Sequence, residues 1–294
     1  MTDIIPFDKR EGFIWYNGQF VAWQDSKVHI LNHGLHYASC VFEGERIYNG
    51  KIFKNEQHSQ RLHRSAQTLG FKIPYSVSDL NNFKIATAAK QNIVDGYMRV
   101  FAWRGSEKMA ISAQENKIHV AIACWPWPPY YSDEARKKGL KLKFAKYRRP
   151  SPETAPTTAK AAGLYMICTI SKHEAENEGY NDALMLDYRG YIAESTGANI
   201  FLVMKNNEIH TPIADCFLNG ITRQTIIEIA RKKGLTVIER HIEPEELGDA
   251  RDAFLTGSAA EITRISSIDD KYSYLEPSDI TIGLMNDYHN LVRS

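Results

Sequence analysis

Apolar and polar positions alternate through much of this chain, and turn dipeptides punctuate the alternation. Phe13 to Trp23 reads as a hairpin, because FIWY and QFVAW flank Asn17-Gly18, a pair suited to a type I′ turn. Val28 to Leu31 predicts a further strand. Phe42-Glu43-Gly44 leads into the alternating Arg46-Ile47-Tyr48, and Asn49-Gly50 supplies a second hairpin turn. Residues 55–69 predict a helix, with Leu62, Ala66 and Leu69 on one face and Gly70 as its stop. A second helix is predicted from about Asp79 to Ile93. Asp95-Gly96 then turns into a strand, Tyr97 to Trp103, whose alternation puts Tyr97, Arg99 and Phe101 on one face. Lys117 to Trp125 predicts a buried strand.

The stretch from Trp125 to Tyr131 is rich in proline and aromatic residues. Proline interrupts a sheet ladder, so this stretch reads as a link between two domains, with rings able to wall a cleft. The division is a small domain over 1–124, a loop over 125–134 and a larger domain over 135–294. The second half opens with Ala135 to Lys143 and later carries a helix ending near Gly179. Ala183–Asp187 and Tyr191–Met204 predict a hairpin across Tyr188-Arg189-Gly190. An amphipathic helix opens at Leu218-Asn219-Gly220 and stops at Gly234, and strands are predicted at Val237–Ile242 and Ala253–Leu255. Strands and helices are mixed in both halves, which predicts a two-domain α+β or α/β protein.

Composition narrows the function classes. A length of 294 residues fits one large or two ordinary domains, and 43% hydrophobic with 24% charged residues is ordinary for a globular protein. A net charge of +1 leaves no basic surplus for a nucleic acid or an anionic membrane. The first residues lack the pattern of a signal peptide, and no apolar run approaches a membrane span, so a cytoplasmic protein is expected. Cys40, Cys124, Cys168 and Cys216 are scattered, without metal-ligand spacing or a disulfide framework. His33 and His36 lie close to Cys40, but no second ligand cluster accompanies them, so no metal is expected.

The candidate chemistry centres on Lys160, set between Ala159 and Ala161 in SPETAPTTAKAAGLY. An amine among small residues beside an apolar helix start is poorly solvated, which lowers its pKa and frees it to attack a carbonyl. The alternative is a surface lysine on a loop. Glu194 sits in EST between apolar Ile192 and Ile200, and reads either as a buried carboxylate needing a cation or as a strand-edge residue facing water. Gly220-Ile221-Thr222 at a helix start and Thr256-Gly257-Ser258-Ala259 after a strand are two small-residue turns able to cradle an anion. Arg61 and Arg64 bracket the face of the first helix, and Arg64 is expected to be solvated. Arg99 among aromatics implies an ion pair or an anion site. A Schiff-base lysine, a carboxylate and two anion cups are together the parts that pyridoxal 5′-phosphate requires.

These stretches resemble a known family. HGLHYASCVFEG, QRLHRSA, YMR, PTTAKAAGLY, ESTGANIF, NGITR and TGSAAEIT follow, in order and over nearly the whole chain, the pattern of the branched-chain amino acid aminotransferases, class IV (fold-type IV) pyridoxal phosphate enzymes. The resemblance implies a small α/β domain, an interdomain loop and a larger domain built around a β-barrel, working as at least a homodimer. It implies that Lys160 binds the cofactor aldehyde, Tyr165 its phenolic oxygen and Glu194 its pyridine nitrogen. Arg61, the backbone at Ile221 and Thr222, and Ser258 are implied at the phosphate. Tyr97, Arg99 and the backbone near Ser258 and Ala259 are implied at substrate carboxylates, Phe42 at the side-chain pocket, and Tyr37 at the neighbouring subunit's site. The implied reaction is transamination between leucine, isoleucine or valine and 2-oxoglutarate.

Departures from the pattern lie on the substrate side. Ser258 stands where threonine is usual, Glu45 where an apolar residue is common, and Val100 where proline is usual. A D-amino acid aminotransferase is the nearest rival, but its Arg-x-His pair is absent from RGSEKMAIS. Aminodeoxychorismate lyase is disfavoured by the Tyr97–Arg99 strand. A cofactor-free Schiff-base lysine enzyme, or a binding protein without catalysis, leaves Glu194 and both cups unexplained.

Overall fold

Both Asn-Gly pairs turn as their chemistry demands. Asn17 and Asn49 each have φ of 49°, followed by Gly18 at 98° and Gly50 at 75°, the positive pair that a type I′ hairpin needs. The structure, a computed structural model, describes residues 5–127 and 138–294. It divides into two compact units, Met1–Pro128 with Ala159–Gly163, and Pro129–Thr158 with Leu164–Ser294.

In the first unit β1 (Phe13–Tyr16), β2 (Gln19–Ala22), β3 (Cys40–Tyr48), β4 (Lys51–Ile52), β5 (Gly96–Arg104) and β6 (Ile118–Pro126) form one sheet in the order β2-β1-β6-β5-β3-β4. A short helix, α1 (His33–Tyr37), precedes β3. Helices α2 (Asn55–Thr68) and α3 (Val77–Lys90) pack on the sheet, and α3 begins with a capping box between Ser76 and Asp79. Val41, Ile47, Leu62, Leu80, Met98 and Val100 belong to the core of this unit. Residues directly opposite in a ladder point to the same side. Phe42↔Phe101, Gly44↔Arg99 and Arg46↔Tyr97 therefore share the sheet's other face.

Two sequence expectations differ here. The stretch Val28–Leu31 is not a strand: Val28, Ile30 and Leu31 are 53%, 73% and 48% exposed, so its alternation has no core to face. The sheet also runs on through Trp125 to Pro126, which pairs with Gly96 at the end of β6. A strand end, where no further ladder bond is needed, is a place that tolerates proline. Of the expected interdomain loop over 125–134, residues 128–134 lie outside the described residues.

In the second unit β7 (Leu140–Phe144), α4 (Met166–Asn177), β8 (Asp182–Leu186), β9 (Ile192–Ser195), β10 (Asn199–Met204), β11 (Ile209–Pro212), α5 (Ile221–Lys232), β12 (Val237–Arg240), β13 (Ala250–Gly257), β14 (Glu261–Ile268), β15 (Tyr272–Ser273) and α6 (Asp279–Arg293) follow in turn. Strands β10-β13-β14-β7-β8-β9 pair in sequence, and β9 pairs back to β10, closing a six-stranded barrel. The single strand expected over Tyr191–Met204 is broken into β9 and β10. The small residues 196–198 turn there, with the Ser195 N–H bonded to the Ala198 carbonyl and the Ala198 N–H to Ser195 Oγ. That break allows the barrel to close.

Candidate active site

Lys160 is carried by a five-residue segment that packs with the first unit rather than with the barrel it adjoins in sequence. Val41 bridges Ala161, and the Phe42 N–H donates to the Lys160 carbonyl at 3.1 Å. On its other side the Lys160 N–H donates to Ser65 Oγ at 2.9 Å. Ser65 lies one helical turn after Arg61 on α2, so one helix face serves both. The Lys160 Nζ stands 4.9 Å from the centre of the Phe42 ring. Burial, then the Arg61 charge, lower this amine to about 8, although Glu43 and Tyr97 pull it upward. The lowered amine agrees with the sequence expectation of a poorly solvated lysine, and the residue as a whole is partly buried.

Phe42 is shared by two cations. Arg99 Cζ lies 4.6 Å from the Phe42 ring centre and 5.6 Å from that of Tyr97. Tyr97 in turn packs on Trp125 and Trp127, each with ring centroids 5.4 Å away. Tyr97, Arg99, Phe42 and two tryptophans thus line one sheet face. Gly44 is what lets them do so, because a Cβ there would collide with the Tyr97 hydroxyl.

Sequence reasoning missed the anchor of Arg61. Its Nε and Nη2 each donate at 2.7 Å to the two oxygens of Glu43, and His58 Nδ1 meets Glu43 Oε2 at 2.7 Å. Glu43 and His58 are each 1% exposed and Arg61 7%. Burial opposes a charge on Glu43, but the Arg61 charge and the hydrogen bonds from Arg61 and His58 prevail and hold its carboxyl well below the usual range. Glu45, the departure from the family pattern, is paired as well: Lys84 Nζ reaches its two oxygens at 3.0 and 2.9 Å and the Asn55 carbonyl at 2.9 Å. Arg64 is exposed, as expected.

In the second unit Glu194 is 9% exposed, which decides between its two readings in favour of a buried carboxylate. Arg149 Nε stands 3.4 Å from Glu194 Oε1, and Asn199 Nδ2 donates to Oε2 at 3.1 Å. Burial works against the Arg149 charge, but Glu194, Cys168 and Tyr165 more than restore it. Asn199 reaches further: its Nδ2 donates to the Leu218 carbonyl at 3.0 Å and its Oδ1 accepts from the Gly220 N–H at 3.1 Å. One buried amide therefore ties the Glu194 strand to the start of α5. Ile221 and Thr222 open that helix, where backbone N–H groups lack helical partners and favour an anion. Ser258 and Ala259 occupy the partly exposed turn between β13 and β14, and Tyr165 precedes α4 and is partly buried. Arg149 and Asn199 were not singled out from sequence. A buried asparagine in an otherwise apolar strand is the signal that marks Asn199.

The histidines considered for a metal bond to backbone instead, His33 Nε2 with the Ala110 carbonyl and His36 Nε2 with that of Ile30. Asp187, Asp215 and Cys216 cluster among the described residues, but the Arg189 guanidinium pairs with both carboxylates there.

Known proteins share this fold. The model of the family described as amino-transferase class IV matches residues 40–268, and the chain belongs to that family. It is an enzyme, and its relatives within the family are the branched-chain-amino-acid aminotransferases. A Rickettsia conorii protein named a probable branched-chain-amino-acid aminotransferase is 43% identical over 282 residues, covering 95% of this chain and 96% of that protein. The crystal structure of the Escherichia coli branched-chain amino acid aminotransferase superposes with a TM-score of 0.92 at 33% identity, over 97% of this chain and 95% of that one. Another branched-chain amino acid aminotransferase, complexed with N-(5′-phosphopyridoxyl)-L-glutamate, superposes with a TM-score of 0.91 at 31% identity, over 96% and 94%.

Proposed function

We propose that this enzyme uses pyridoxal 5′-phosphate to transfer the amino group of leucine, isoleucine or valine to 2-oxoglutarate, giving branched 2-oxo acids and L-glutamate. The observation that carries the proposal is the position of Arg99 against Phe42, 4.6 Å from its ring centre. An apolar wall and a guanidinium on one strand face suit a site that must take an aliphatic side chain in one half-reaction and a carboxylate in the other.

The donor set fits the cofactor. A lysine lowered to about 8 suits an aldehyde, and a carboxylate held by Arg149 and Asn199 suits a pyridine nitrogen. In this reading Lys160 binds the aldehyde, Glu194 the ring nitrogen and Tyr165 the phenolic oxygen. Arg61, the backbone of Ile221 and Thr222, and Ser258 hold the phosphate. When bound, pyridoxal phosphate supplies the carbonyl and the electron-withdrawing ring. Lys160 Nζ moves the proton from the substrate Cα, as base and then as acid. Tyr97 and Arg99 orient the second carboxylate, Phe42 and the tryptophans exclude water, and the backbone at Ser258 and Ala259 receives the α-carboxylate.

The same reading makes the chain a cytoplasmic homodimer or larger homo-oligomer, with Tyr37 serving the neighbouring subunit's site. Ile30, Leu35, Tyr37 and Ile111 are 73%, 68%, 44% and 85% exposed on the first unit, which suits an apolar contact with a second copy. No helix among the described residues is long and apolar enough to cross a membrane. We assign 1–124 to a small domain, 125–134 to a connecting loop and 135–294 to a larger domain. An amino-donor panel with 2-oxoglutarate, run on both enantiomers of each donor, tests the assignment. Turnover of L-leucine, L-isoleucine and L-valine is expected, and turnover confined to D-amino acids would reject it.

A further inference from the structure

We propose that Glu43, held by His58, is a positioning residue that aims the Arg61 guanidinium at the cofactor phosphate beside Lys160. The proposal rests on the reading of Arg61 as a phosphate ligand. An arginine side chain has many rotamers, and ordering it at the moment of binding costs affinity. Here two parallel N–H···O bonds of 2.7 Å fix the plane of the guanidinium before any ligand arrives. The carboxylate that does this is itself fixed. His58 meets Glu43 Oε2 at 2.7 Å, and both side chains are 1% exposed.

Sequence order explains the arrangement. Glu43 lies on β3, one residue after Phe42, whose N–H bonds the Lys160 carbonyl. Alternation turns Glu43 to the helix side of the sheet, while Phe42 faces the substrate side. His58, Arg61 and Ser65 follow one face of α2, and Ser65 accepts from the Lys160 N–H. The Lys160 backbone and the Arg61 guanidinium are thus referenced to the same strand and the same helix. A misplaced Arg61 would lose the phosphate, whereas any change it makes in the Lys160 amine acts on every aldehyde that Lys160 binds, so the two effects can be separated by experiment.

The experiment titrates full-length protein, freed of cofactor, with pyridoxal 5′-phosphate and with pyridoxal, which lacks the phosphate. Absorption of the lysine-bound form is the readout. Both ligands engage Lys160, so the ratio of their affinities isolates the phosphate contribution. Glu43→Gln is expected to weaken pyridoxal 5′-phosphate relative to pyridoxal by about tenfold to a hundredfold, the range seen when a metal ligand loses the partner that orients it. Arg61→Ala is expected to lower the ratio at least as far, and the double variant no further than Arg61→Ala alone. His58→Leu should follow Glu43→Gln, while His58→Asn, whose amide can replace the Nδ1 donor, should recover the ratio. This histidine pair carries the test if Glu43→Gln does not fold. A ratio unchanged in Glu43→Gln or His58→Leu, or an equal loss for both ligands, overturns the positioning role. If Arg61→Ala still lowers the ratio in that case, the cofactor reading stands. A ratio unchanged in Arg61→Ala removes the phosphate role of Arg61 itself, and the positioning role with it.

Discussion

The Tyr97 hydroxyl lies over Gly44 on the neighbouring strand, in the space that a Cβ at residue 44 would occupy. Glycine here serves close approach rather than backbone freedom. Gly44→Ala is expected to push the Tyr97 ring away and to lower kcat/KM by about tenfold or more, since small misplacements of positioning groups are costly. Circular dichroism should show the fold retained. Wild-type turnover in Gly44→Ala would mean that Tyr97 does not position substrate.

The lowered Lys160 amine, at about 8, sets a pH dependence. Only the neutral amine attacks an aldehyde, so capture of pyridoxal phosphate by cofactor-free protein should rise tenfold per pH unit below 8 and level off above it. The same shift means that the unfolded chain binds this proton more tightly. Lys160 therefore contributes increasing stability as pH rises from about 8 towards the ordinary lysine value. Stopped-flow absorption across pH measures the first effect, with Lys160→Ala as the blank. A midpoint at 10 or above would sink this account.

Arg99→Ala should separate the two half-reactions. Leucine brings no side-chain carboxylate, whereas glutamate and 2-oxoglutarate do. The loss with glutamate should exceed that with leucine by about 1.5–3 kcal/mol, the range of a charge-assisted hydrogen bond, or roughly tenfold to a hundredfold in kcat/KM. Single-turnover spectra of each half-reaction provide the comparison. Equal losses would assign Arg99 to the α-carboxylate or to the shape of the site.

Glu45 and Lys84 are 0% and 1% exposed, so neither charge tolerates loss of the other. Lys84→Met alone is expected to lower the unfolding free energy by about 3–5 kcal/mol, the cost of leaving a buried charge unpaired. Glu45→Leu combined with Lys84→Met should return close to the parent. Denaturant titration reads both values. A single-variant loss below about 1 kcal/mol would show that water reaches the pair.

What the sequence by itself determined was local or carried by contiguous motifs. Asn-Gly pairs marked two hairpins because their turn type is a property of two residues. Period-two alternation put Tyr97, Arg99 and Phe101 on one face because strand geometry needs no partner to define it. The small residues around Lys160 signalled a poorly solvated amine before any fold was known. Tertiary structure decided the rest, because its causes lie far apart in the chain. Glu43 and Arg61 are separated by 18 positions, and nothing in either motif says that one grips the other. Glu45 read as an anomaly until Lys84, 39 positions away, supplied its counter-charge. The barrel closes between β9 and β10 because three small residues turn inside what alternation read as one strand. Lys160 packs with the first unit because its backbone joins β3 and α2, a choice made by hydrogen bonds that chain order does not reveal.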